Sequence, residues 1–221
     1  MSEGNIRGLA KACEVLDYRL VNRILLSNCG VNGEQLGAIV EGMAKLRDFK
    51  SLVYKQNQIS QSSLDALKPV FMRRIPHHME EIKLIDCKIS PSLIVNLMET
   101  LSEQSLIKRL ALVNVHHTAD SFDKVIEYVA TSESLEEIDL SWSIVVKGSW
   151  FRFAKMLNEN RRLRNLNIGF NQLLEEQSYK LTPEQLKEGL TEAPLSDKNL
   201  ELLDGFKNFM KYNPYLVHID L

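Results

Sequence analysis

Apolar residues recur along this chain in one fixed spacing. In Leu163-Arg164-Asn165-Leu166-Asn167-Ile168-Gly169-Phe170-Asn171-Gln172-Leu173 they stand at the first, fourth, sixth and eleventh places, with Asn at the ninth. Leu163, Leu166 and Ile168 suit one apolar face of a short strand. Asn171 suits the turn that follows, because its amide can bond backbone groups the turn leaves unpaired. The same frame holds Leu135, Ile138, Leu140, Ser143 and Val145, then Met79, Ile82, Leu84, Cys87 and Ile89. Phe49, Leu52, Tyr54, Asn57 and Ile59 fill it, as do Val21, Ile24, Leu26, Cys29 and Val31. Ile107, Leu110, Leu112, Val115 and His117 fill it more loosely, and Leu216, Ile219 and Leu221 make a cut-short last copy. First places fall at 21, 49, 79, 107, 135, 163 and 216, at intervals of 28, 30, 28, 28, 28 and 53 residues. A period held over most of the chain signals a solenoid.

The residues between copies carry helical spacing. Phe122, Val125, Ile126 and Val129 stand at i, i+3, i+4 and i+7, as do Trp150, Phe153, Ala154 and Leu157, and Leu36, Ile39, Val40 and Met43. Leu203, Phe206 and Met210 place a helix before the last strand. Thr118-Ala119-Asp120 and Ser90-Pro91 read as helix starts. Each unit is therefore strand, turn and helix, an α/β solenoid with parallel strands on the concave side of an arc and helices on the convex side.

The eleven-residue frame resembles the leucine-rich repeat, and the long helix-bearing units resemble its ribonuclease-inhibitor-like class. The resemblance covers essentially the whole chain. Cys29, Asn57, Cys87 and Asn171 match that class's ninth-place preference, whereas Val115 and Ser143 depart from it, so those two turns are expected to be built differently. The resemblance implies a horseshoe-shaped fold and says almost nothing of function.

The expected division follows from the period. Residues 1–20 form a capping helix with Ile6, Leu9, Cys13 and Leu16 on one face, shielding the first strand. Residues 21–173 are the repeats. Residues 174–198 are an insertion, in which Thr182-Pro183-Glu184-Gln185 starts a short helix. Two readings of it stand: a surface excursion, or a partner-binding or lid element. Residues 199–221 hold the last helix and the truncated final repeat. Because that copy stops mid-strand at Leu221, the expectation is a fragment of a longer array, the other reading being that another chain covers the edge.

Composition narrows the setting. A 221-residue chain at 44% hydrophobic content can bury a sizeable core, and a net charge of -2 exerts no overall pull on nucleic acid or an acidic membrane. No apolar run reaches the length of a membrane span, and Met1-Ser2-Glu3-Gly4-Asn5 is no signal peptide. Cys29 and Cys87 hold equivalent places two units apart, about 10 Å at the usual strand spacing and too far for a disulfide. Three reduced thiols point to a cytoplasmic or nuclear protein.

Candidate sites follow from the columns that the repeat stacks. Second places alternate in sign from Lys50 through Glu80, Lys108 and Glu136 to Arg164, and third places through Glu81, Arg109 and Glu137. Such ladders fix register and keep the face soluble, or form a charge-mixed docking surface. The seventh and eighth places bring Ile85 beside Val113 and Trp142 beside Phe170, apolar residues that the strand does not require. They read as a binding hot spot, unless the insertion or the following turn buries Trp142 and Phe170. The candidate partner-binding residues are thus Ile85, Val113, Trp142, Phe170, Arg109 and Glu137.

Chemistry is sparse. His77-His78 and His116-His117 fall at opposite ends of neighbouring strands and cannot share a metal, and His117 occupies an apolar place and is expected half-buried. Asp139 and Asp220 are expected to face solvent. Neither a closely spaced Cys/His zinc pattern, nor a phosphate-binding glycine loop, nor a nucleophile elbow occurs. Basic residues at Lys68, Arg73, Arg74, Arg152, Lys155, Arg161, Arg162 and Arg164 lack interleaved aromatics, which disfavours nucleic acid. No catalytic residue, cofactor, metal or small-molecule substrate is expected. The resemblance implies a non-catalytic scaffold binding a protein partner through the concave strand face, and through the insertion if that element binds. Two alternatives are a regulator resembling the Ran GTPase-activating proteins and an actin-binding module resembling the tropomodulin repeat domain.

Overall fold

The structure, a computed structural model, describes residue 8 and residues 21–43, 49–72, 79–104, 106–146, 148–171, 173, 197–213 and 216–220. The expected capping helix at 1–20, Arg73 and Arg74, the pair His77-His78, the helix starting at Thr182 and the chain end at Leu221 lie outside the described residues.

Strand and helix alternate as the spacing requires: β1 (Arg23–Ser27), α1 (Gly33–Met43), β2 (Ser51–Lys55), α2 (Gln61–Phe71), β3 (Glu81–Ile85), α3 (Pro91–Gln104), β4 (Arg109–Val113), α4 (Ala119–Thr131), β5 (Glu137–Asp139), α5 (Ser149–Leu157), β6 (Asn165–Asn167), α6 (Asp197–Tyr212) and β7 (His218–Asp220). The seven strands form one sheet in chain order, every neighbouring pair parallel. Register preserves the repeat frame. Ile24, Leu52, Ile82, Leu110, Ile138, Leu166 and Ile219, all fourth places, pair in a single row. The sixth places Leu26, Tyr54, Leu84, Leu112, Leu140 and Ile168 form a second row, none more than 3% exposed. Strands stack about 4.8 Å apart while packed helices need about 8–10 Å, so the sheet lies on the inside of the curve.

The helices bury the faces that the spacing marks. Phe122, Val125, Ile126 and Val129 are buried on α4, and Trp150, Phe153, Ala154 and Leu157 on α5. Thr118 caps α4 in a reciprocal capping box with Ser121, and α3 begins at Pro91. The last helix differs from expectation. It starts at Asp197, and it buries Asn199, Leu202, Phe206 and Phe209, leaving Leu203 and Met210 exposed. Gly205 turns this face toward α5, where a Cβ on it would come within 3.0 Å of the Ala154 Cβ.

The ninth-place turns share one device. Asn57 Nδ2 donates to the Leu26 carbonyl of the preceding strand at 2.9 Å, and Asn171 Nδ2 donates likewise to Leu140 at 2.9 Å. Cys87 Sγ reaches the Tyr54 carbonyl at 3.1 Å. Ser143, expected to build its turn differently, does the same through its hydroxyl, 3.0 Å from the Leu112 carbonyl. A short hydroxyl suffices because the carbonyl lies directly across the strand gap. Val115 has no polar atom for this bond and is simply buried.

Two side chains depart from the sequence reading. His117 is fully buried, not half-buried, because the eleventh place faces the core. Asp139 does not simply face solvent: Oδ1 accepts from the Ser141 amide at 2.9 Å and its hydroxyl at 2.7 Å, which folds the carboxylate over the end of β5.

Candidate functional site

The ends of the strands set the geometry of the site. At every eighth place the backbone is left-handed: Asn28, Gln56, Asp86, Asn114, Trp142 and Phe170 have φ between 47° and 59°. The amide of this residue then donates to the seventh-place carbonyl of the next strand. The bonds run Asn28 to Lys55, Gln56 to Ile85, Asp86 to Val113, Asn114 to Ser141 and Trp142 to Gly169, all between 2.9 and 3.1 Å. Asn and Asp tolerate this conformation because their short polar side chains bond locally. Trp and Phe gain nothing from it, and the backbone costs about 1–2 kcal/mol for such residues. The four polar examples show that the turn itself needs no aromatic.

Trp142 and Phe170 are nevertheless exposed, 55% and 72%, with ring centroids 4.3 Å apart and planes at 12°. Their inner faces cover one another, and each ring retains an outer face. The rest of the fifth unit's turn is apolar as well. Ile144 and Val146 are 62% and 46% exposed, where other units carry Gln58, Lys88 or His116 and Ser60, Ser90 or Thr118. Ser60 and Thr118 cap their helices from the place that Val146 occupies. Lacking that cap, α5 begins two residues later in the frame, at Ser149, behind Gly148, which has φ 83° and makes no side-chain capping bond. The fifth unit thus loses helix length and a cap while presenting apolar side chains to solvent.

The other expected site residues fall into two groups. Ile85 and Val113 are register partners on β3 and β4, but both are half-buried, part of the sheet surface rather than a projecting patch. Arg109 and Glu137 are register partners without an ion pair between them. Arg109 Nε instead reaches Glu81 at 3.2 Å, and Glu137 accepts from Asn165 Nδ2 at 2.8 Å. Glu81 wins the arginine because it is buried and also receives the Ser51 hydroxyl and Lys83, the latter at 3.0 Å. Burial alone would push its carboxyl up, but Ser51, Lys83 and Arg109 together hold it below the ordinary range. The third-place ladder therefore stops at β4. The second-place ladder is continuous from Lys50 through Glu80 to Lys108, at 3.0 and 3.5 Å, and resumes as Glu136 with Arg164 at 3.9 Å.

A hollow of about 150 Å³ opens on the concave face between these regions, with Lys83 and Arg109 on one side and Glu137, Asp139 and His218 on the other. Among the described residues no group of three His, Cys, Asp or Glu side chains is placed to hold a metal ion. No described helix is long and apolar enough to cross a membrane. His116 is exposed while His117 points into the core, so that pair offers no joint ligand set. Neither Cys29 nor Cys87 is joined in a disulfide.

The ordered parallel sheet, the constant register and the ninth-place turns define an α/β solenoid of leucine-rich-repeat type. No protein-family model matches the chain, and no curated protein matches it. Among solved structures it is similar to leiomodin-1 actin-binding site 2, with 12% sequence identity and a TM-score of 0.43 over 92% of this chain and 88% of that one. A likeness at that level adds nothing to what the sheet topology already shows.

Sequence reasoning found the aromatic pair from its column. It missed the left-handed backbone and the apolar continuation at Ile144 and Val146. The signal for both was present as a contrast between units: Asn, Gln and Asp at the other eighth places, and Ser or Thr at the helix-capping place.

Proposed function

We propose that this chain is a non-catalytic scaffold of the ribonuclease-inhibitor-like leucine-rich-repeat class, acting in the cytoplasm or nucleus without a cofactor, that binds a protein partner. The contact is centred where the concave face meets the turn edge at β5 and β6. One observation carries this reading: Trp142 and Phe170 are stacked, solvent-exposed and held in left-handed backbone that other units fill with Asn, Gln or Asp. Rigid aromatic surface of this kind is the usual energetic centre of a protein interface. The flanking ladder from Lys50 to Lys108 is internally paired and so contributes solubility and register more than affinity.

Affinity capture tests it. A partner retained by the wild-type chain and lost by Trp142→Asn/Phe170→Asn supports the reading. An unchanged set of retained proteins with the double variant folded overturns it.

A further inference from the structure

A carboxylate lies beside the residue that precedes each ring of the exposed pair. Asp139 folds over the end of β5 onto Ser141, the residue immediately before Trp142, at 2.7 and 2.9 Å. Asp220 lies on β7, and its Oδ1 is 3.5 Å from where a side chain on Gly169 would begin, immediately before Phe170. Asn167 separates the two in register, so Asp139 and Asp220 are two strand spacings apart, roughly 10 Å. Glu137 stands one turn of the pleat from Asp139 on the same strand. Among the described residues none of these three carboxylates has an ion-pair partner, because Lys83 and Arg109 are both committed to Glu81.

This stretch of the sheet therefore differs from the rest of the concave face in two independent ways. Its carboxylates lack direct ion pairs among the described residues, and its rim carries two exposed aromatic rings. An aromatic face attracts a cation through its negative quadrupole, and a carboxylate within reach of the same cation adds a charged hydrogen bond. An acidic segment would meet repulsion from Asp139, Asp220 and Glu137. A purely apolar one would cover the rings at the cost of desolvating those carboxylates unpaired.

We infer that the platform of Trp142 and Phe170, with Asp139 and Asp220 beside it, receives a lysine- or arginine-bearing segment of a protein partner. The inference rests on the docking role proposed above and names the chemistry of the segment that docks. The cationic head lies over an outer ring face and pairs with one of the carboxylates.

Selection from a phage-displayed library of random peptides, with the whole chain as target, tests it. Enriched peptides are expected to carry lysine or arginine. A synthetic copy of the most enriched peptide should bind roughly tenfold more weakly to Asp139→Asn/Asp220→Asn, in keeping with the loss of charged contacts at a partly desolvated site. Its affinity for the wild-type chain should fall steadily with added salt, a reading that needs no variant. Enrichment of acidic or uncharged peptides that still need Trp142 overturns the cationic assignment and leaves the docking surface standing. Enrichment indifferent to Trp142→Asn/Phe170→Asn, or no enrichment, overturns both.

Discussion

The ring of His117 meets Phe122 edge-on at 5.4 Å, and neither of its nitrogens has a hydrogen-bond partner among the described residues. Burial pushes this imidazole down from 6.5 to about 4, with the neighbouring His116 adding to the effect. The unfolded chain therefore takes up a proton at this residue that the folded chain refuses. Stability is full above pH 6.5 and declines as pH falls through about 4, by about 3 kcal/mol in total. Urea unfolding across this range should show the decline. His117→Leu, which restores the apolar character of the eleventh place, should be at least as stable at neutral pH and lose the slope attributable to this group. An equal slope in both proteins would refute the assignment.

Replacing both exposed aromatics with Asn separates surface from core. Trp142→Asn/Phe170→Asn relieves left-handed backbone strain of about 1 kcal/mol or more per residue and forfeits a stacking contact worth about 0.5–1.5 kcal/mol. The expected net change in unfolding free energy is within about 1 kcal/mol. Trp150, buried between Phe122 and Phe153, sets the contrast: Trp150→Ala should cost about 3–5 kcal/mol. A loss of that size in the Asn double variant would show that the pair supports the fold.

Asn57 is the most fully bonded of the turn asparagines. Its Nδ2 donates to Leu26 and Lys55, both at 2.9 Å, and its Oδ1 accepts from the amides of Cys29 at 2.8 Å and Gly30 at 3.2 Å. Asn171 makes only the two donor contacts, and its Oδ1 has no partner among the described residues. Asn57→Ala strands two amides and two carbonyls and should cost about 3 kcal/mol, with Asn171→Ala costing less. Thermal or chemical denaturation of the two variants side by side checks the order.

Gly33 opens α1 against the neighbouring unit. A Cβ there would fall 2.5 Å from the Ser62 Cβ and 2.9 Å from its backbone carbon, so helix α2 itself would have to move. Gly33→Ala should therefore destabilise by about 2 kcal/mol even though Ala is the better helix former. Pairing it with Ser62→Gly should recover part of the loss, measured as a double-mutant cycle.

The chain's own periodicity made the architecture readable. Fourth and sixth places recur at a nearly constant interval, and a parallel sheet built from equal units can align them in only one way. Hence the rows from Ile24 to Ile219 and from Leu26 to Ile168 are legible in the sequence. The buried faces of α4 and α5 were legible for the same reason. On α6 the spacing of Leu203, Phe206 and Met210 misled by about one residue of rotation, because Gly205, with no apolar signal of its own, decides which side approaches Ala154.

The candidate site was half legible. Its aromatic column could be read from the frame, but the partner each charge would choose could not. Arg109 has a carboxylate in register on either side, and the choice went to Glu81, which is buried and already held by Ser51 and Lys83. Burial of His117 likewise depends on Phe122 closing over it, from a helix that begins only after the turn.

Repetition in the amino-acid order determines the stacking of units, since equivalent apolar residues must meet across each strand gap. Which carboxylates stay unpaired, how the eighth residue twists and whether Trp142 and Phe170 remain open to solvent are three-dimensional outcomes. They arise from competition among neighbours on adjacent strands, each with several partners in reach, and burial decides among them.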